Sequence, residues 1–157
     1  MTTPYGKIRK DLIPSEEAEQ RALAQWLDLH RILWTHVPNG GMRSKAVAGK
    51  LKAAGVKAGC PDVLIFERPR CESPCLFESL AKDNPGTGEH TPARCRLRAT
   101  GVAIELKRAK PAASRVSEEQ SHWINALFNQ GWITRVCYGA SEAIALLESL
   151  GFGRART

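Results

Sequence analysis

The run GVAIELKR at residues 101–108 restricts what this chain can fold into more than any other stretch. Its apolar residues recur at a spacing of two, the period of a β-strand, so Val102, Ile104 and Leu106 share one face and Ala103, Glu105 and Lys107 the other. The first face belongs to a core. The second carries a carboxylate beside an ammonium, and two readings fit it: the solvated side of a half-buried strand, or the wall of a charged site. The strand by itself does not choose between them.

The surrounding segments narrow the fold. Ser15 followed by Glu16 and Glu17 marks a helix start, with a capping hydroxyl and acids at the positive end of the helix dipole. Ala18, Ala22, Leu23, Trp26 and Leu27 then form one apolar stripe. At about 100° per residue, Glu19 falls near the middle of that stripe, Glu16 at its edge and Glu17 on the far side. RILWTHV reads as a strand ending in the turn signal Pro38-Asn39-Gly40-Gly41. A basic helix is expected over 44–54, a short strand over 62–67 after Pro61, a strand around Ile104, and a helix over 117–130. The strand WITRVCY and a helix from about Ser141 complete the chain. Trp26, Trp123 and Trp132 are most simply core, and His36 is a structural histidine at a strand end. The order helix, strand, basic helix, strand, strand, helix, strand, helix describes an α/β domain with a mixed sheet covered by helices.

A chain of 157 residues suits one domain with a real core and is too short for two ordinary ones. No apolar run approaches the ~20 residues that span a bilayer, and the N-terminal residues lack a secretory apolar stretch, so a cytoplasmic location is expected. The net charge of +7 favours a polyanionic partner. Between Met42 and Lys57 stand Arg43, Lys45, Lys50, Lys52 and Lys57 with no acid among them, a segment suited either to solvent or to phosphate contact, and Asn39 precedes it in the turn.

Five cysteines do not form the pattern of a disulfide-built secreted domain, since Cys60 and Cys137 stand singly. The other three fall in the interruption at 68–100, rich in Pro, Gly, Ser, Thr and Arg and longer than a compact domain ordinarily leaves without a purpose. There Cys71, Cys75, His90 and Cys95 make a set of soft ligands able to hold a structural Zn²⁺; the competing reading is a flexible surface insertion.

Asp62 opens one strand and Glu105 lies near the end of the next. If the two strands pair, their carboxylates converge on one hard divalent cation, Mg²⁺ or Mn²⁺, which takes carboxylate oxygens, a backbone carbonyl such as that of Leu106, water and substrate phosphate. Lys107 then stands where it can stabilise charge developing on a phosphodiester, and Glu19 where it can help hold the ion. Bland readings stand beside these. Asp62 after a proline suits a turn, Glu16 suits a helix dipole, and Gln120 completes the capping box Ser117-x-x-Gln120.

Pro61-Asp62, followed at a distance by Glu105-Leu106-Lys107, resembles the PD-(D/E)xK signature of the restriction-endonuclease-like nucleases, whose αβββαβ core order matches the one above. More narrowly, SEEAEQRAL, VPNGG with the following RSK, KLKAAGVKAGCPDVLIF, GVAIELKR, SEEQSHW and GWITRVCYGASEAI together resemble the VRR-NUC family of virus-type replication and repair nucleases. They cover nearly all of residues 15–152. The resemblance implies a stand-alone domain of the kind many bacteriophages carry, here with a 1–14 polar tail, an extra basic helix and a 153–157 basic tail, and the 68–100 insertion between the two catalytic strands departs from the family pattern. It further implies that Asp62 and Glu105 bind the metal, that Lys107 and Gln120 serve the site, and that a first-helix acid joins them. Glu19 is preferred because it faces inward, and Glu16 is the alternative. Small stand-alone members resemble junction resolvases, which implies a homodimer acting on branched DNA.

Overall fold

The computed structural model describes residues 13–38, 45–69, 99–111 and 113–153, and gives all eight expected elements in the expected order. Helix α1 (Glu16–Leu29) is followed by β1 (Trp34–His36), α2 (Lys45–Ala53), β2 (Val63–Ile65) and β3 (Val102–Lys107). Then come α3 (Glu118–Asn129), β4 (Ile133–Tyr138) and α4 (Ala140–Ser149). Cys71, Cys75, His90 and Cys95 lie outside the described residues, as do Asn39, Arg43 and the side chain of Lys45.

The strands lie side by side in the order β1-β2-β3-β4, the first two junctions antiparallel and the last parallel. That last direction follows from the connection, because β3 returns through α3 and parallel neighbours need such a crossover. Pairing with β2 covers only the first half of β3, ending with Val63 opposite Ile104. Beyond it β3 continues through Glu105, Leu106 and Lys107, and one further step of register sets Asp62 opposite Glu105. Opposed residues of antiparallel strands share a face with Cβ atoms about 4.5–5.5 Å apart. Because β2 begins only at Val63, a notch opens in the sheet with a carboxylate on either side.

Helices α1 and α4 pack together on one face, where Leu23, Leu27, Ala143 and Leu147 meet Val102, Ile104, Leu106 and Cys137 in a single core. Helix α3 lies over the other. The picture of a half-buried strand therefore gives way: Glu105 is 1% and Lys107 5% exposed. The crossover helix shields the polar face from water, as it does in parallel α/β arrangements generally. Of the three tryptophans read as core, Trp26 packs against it, Trp132 meets Phe66 edge-on with centroids 6.0 Å apart, and Trp123 is half-buried outside it. Lys50, Lys52 and Lys57 are exposed. No described helix is long and apolar enough to cross a membrane.

Candidate active site

Asp62 is fixed from two sides. Its backbone carbonyl accepts the Val37 N–H at 2.8 Å and lies 2.9 Å from His36 Nδ1, which extends the β1–β2 pairing by one residue. Its Oδ2 accepts the Leu106 N–H at 2.9 Å across the notch, where β3 has no strand neighbour. Because the N–H and C=O of one residue leave an extended strand on the same side, the Leu106 carbonyl is aimed toward Asp62 as well. His36 thus has the structural role expected of it, at the rim of a hollow lined by Glu16, Gln20, His36, Asp62 and Leu106.

Glu105 and Lys107, two apart on β3, point the same way under α3, and Lys107 Nζ lies 2.8 Å from Glu105 Oε1. Gln120 joins them. Its Nε2 donates to Glu105 Oε1, and its Oε1 accepts both from Lys107 Nζ at 3.3 Å and from the Ser117 N–H at 2.9 Å. The capping box is complete, with Ser117 Oγ accepting the Gln120 N–H. One amide therefore does both jobs left open by the sequence: it closes the start of α3 and fixes the Glu105–Lys107 pair. Glu105 Oε2, by contrast, is buried without a hydrogen-bond partner among the described residues.

Such an atom is costly to bury, and the ionisation of the site records that cost. Burial pushes the Glu105 carboxyl from an ordinary 4.5 up to about 7; Lys107 opposes the shift, and the negative charges of Asp62 and Glu16 add to it. Burial raises Asp62 too, against the pull of the Leu106 N–H, of Lys107 and of the Glu105 carboxyl, which can donate to it only when protonated. Two adjoining carboxyls that resist ionisation in a notch, with one oxygen unpartnered, form a site that a cation would relieve.

The two first-helix acids go to different places. Glu19 is buried as its place in the stripe requires, yet its Oε2 accepts the Ala140 N–H at 2.8 Å and so caps α4. Gly139, with φ 92°, lies against that carboxylate and supplies the helix with no side-chain cap of its own. Inward direction was a sound inference, but inward from α1 leads to the start of α4. Glu16, at the edge of the stripe, lines the hollow with Asp62 and adds to the field on Glu105. Arg108 is not singled out by any motif: its guanidinium donates to the carbonyls of Ile13 and Pro14 at 2.7 and 2.9 Å, fixing the entry to α1. Those partners lie 94 and 95 positions away in the chain, and no local pattern signals them.

A mixed sheet with a carboxylate–lysine pair on its central strand and an aspartate at the end of the neighbouring one defines a protein of restriction-endonuclease-like fold. The chain belongs to the VRR-NUC family, whose domain model matches residues 14–141. This is a family of nucleases that act on DNA. Among solved structures, a VRR-NUC domain protein is similar in fold, with a TM-score of 0.59 at 20% identity over 87% of this chain and 88% of that one. No curated protein matches the chain.

Proposed function

We propose that the protein is a divalent-metal-dependent DNA endonuclease, using Mg²⁺ or Mn²⁺ and selective for branched, Holliday-junction-like DNA in phage replication, recombination or repair. The observation that carries this reading is Glu105 Oε2, buried, unpartnered among the described residues and set beside Asp62, while Oε1 is held by Lys107 and Gln120. The residues fit a hard cation. No three His, Cys, Asp or Glu side chains cluster as ligands among the described residues, but Mg²⁺ is commonly held by one or two carboxylates with water and substrate phosphate completing its shell. Asp62 and Glu105 would hold it, with the Leu106 carbonyl and Glu16 on the same notch.

When bound, such an ion supplies Lewis-acid polarisation of the scissile phosphate. The chain's own part is electrostatic and positional. Lys107 stabilises negative charge developing on the phosphate, from a direction fixed by Gln120. Exposed Lys50, Lys52 and Lys57 contact the DNA backbone without reading sequence, and pairing of two copies would suit a branched substrate. Incubating labelled four-way junctions, flaps, nicked duplex and single strands with Mg²⁺ or Mn²⁺ tests the reading. Cleavage of branched DNA is expected; binding without cleavage of any substrate would leave a DNA-binding adaptor on a nuclease fold.

A paired comparison assigns the first-helix acid. Glu19→Ala removes the cap of α4 and is expected to lower stability by about 1–3 kcal/mol while cleavage per folded molecule persists. Glu16→Gln, at an exposed position, is expected to stay within about 0.5 kcal/mol of wild type and to lose most cleavage at low metal concentration. Thermal denaturation beside a metal titration of the cleavage rate reads both.

A further inference from the structure

A second hollow, of about 630 Å³, lies near the notch, and of its lining only Lys57 has a part in the function proposed above. Lys57, Ala58, Glu118, Glu119, His122, Trp123 and Ala126 line it. It is separated from the carboxylates by a close approach: Gly59, at φ 82°, packs so tightly that a Cβ there would stand 2.5 Å from the carbonyl carbon of Glu119. From Gly59 the chain needs only Cys60 and Pro61 to reach Asp62, and the Cys60 thiol already feels the charges of Glu105 and Asp62. On α3, Gln120, which touches Glu105 and Lys107, precedes the lining residue Trp123 by three residues, a helical neighbour spacing of about 5–6 Å. Notch and hollow are thus only a few residues apart along two elements, which brings the hollow within reach of a nucleotide adjoining a phosphate in the notch.

The lining decides which part of a nucleotide fits. Its lining sets the half-buried indole of Trp123 among exposed residues, the apolar Ala58 and Ala126 and the polar Glu118, Glu119, His122 and Lys57. Two carboxylates repel a phosphate, and hydrogen bonds at the start of α3 hold the Glu119 carboxyl below its usual range, so it stays an acceptor. Acceptors over an aromatic face suit a base, whose ring stacks and whose exocyclic amine donates. The exposed Lys57 suits the flanking phosphate. A base inside a duplex is stacked on its neighbours and cannot enter.

We propose that this hollow is a nucleobase subsite, taking one unpaired base next to the scissile phosphate, stacked on Trp123 with its amino edge toward Glu118 and Glu119. The proposal rests on the nuclease reading and deepens it, because it makes an unpaired nucleotide beside the cut a requirement of the substrate. That requirement would favour branch points and flaps over continuous duplex.

Substrate DNA with 2-aminopurine at successive positions around the mapped cut, bound in Ca²⁺, reports stacking as fluorescence quenching. Wild type is expected to quench at one position, Trp123→Ala to lose the quenching and Trp123→Phe to keep it. An abasic nucleotide at that position is expected to slow wild-type cleavage in Mg²⁺ by roughly tenfold to a hundredfold and to slow Trp123→Ala no further. The abasic arm uses the wild-type protein and so does not depend on the variant folding. If DNA is cut but no position quenches, or if the abasic and Trp123→Ala effects multiply independently, the subsite is wrong and the nuclease reading stands. DNA neither bound nor cut removes both.

Discussion

Asp62→Asn is expected to cost at least about 10²–10³-fold in cleavage while leaving the fold intact. The asparagine keeps an oxygen to accept the Leu106 N–H, so the contact across the notch survives, and the backbone bond from Val37 is untouched. What it loses is one of the two charges a cation would neutralise. Metal binding supplies an independent readout, because a ligand of the folded state raises its melting temperature. For the wild type that rise is expected to be larger at pH 8 than at pH 5, since Glu105 is ionised only above its value of about 7. In Asp62→Asn it is expected to shrink at both. An unchanged rise together with unchanged cleavage would remove Asp62 from the site.

Lys107→Met gives the other large effect, and its size depends on pH. A carboxyl with a folded value of about 7, above an ordinary 4.5, takes up protons on folding across that window. The contribution of Glu105 to metal-free stability is therefore full below about 4.5 and is lost as pH rises through about 7. Lys107 limits that loss by pairing with the carboxylate at 2.8 Å. With methionine in its place, Glu105 at pH 8 is a buried charge without its cation, and a destabilisation on the order of 3 kcal/mol is expected. At pH 5 Glu105 is neutral and Lys107 no longer has an ionised partner in it, so the methionine is expected to cost far less than at pH 8. Thermal denaturation in a chelator at the two pH values measures the difference, and equal destabilisation at both would contradict it. Cleavage is expected to fall by about 10²–10³-fold, as when a positioned charge stabiliser is removed.

Most of the side chains that the candidate site brings together were legible in the sequence, and the hydrogen bonds among them were not. Period-two alternation in GVAIELKR put Glu105 and Lys107 on one face, and the structure keeps them there. Whether that face met water depended on α3, whose crossing over β3 is a tertiary event. Gln120 was open between a capping role and a place at the site because both need only an amide one turn into a helix, and it fills both. The choice between Glu16 and Glu19 turned on what stands opposite α1, which helical angle does not contain. The stripe correctly buried Glu19, and only the packing of α4 shows that its partner is the Ala140 N–H. Trp123 failed as core for a related reason: an apolar residue on the inner side of a helix is buried only if something covers it, and here a hollow remains.

The sequence by itself determined the element order, the mixed sheet, the family and the acid–lysine set, because these rest on short-range periodicity, capping and residue chemistry. Only the tertiary structure decided that β2 begins no earlier than Val63, that Asp62 thereby faces Glu105 across a notch, and that Glu105 Oε2 is left buried without a partner among the described residues. Those facts depend on register between segments about forty residues apart and on the desolvation that packing imposes. Neither quantity exists until the chain has folded.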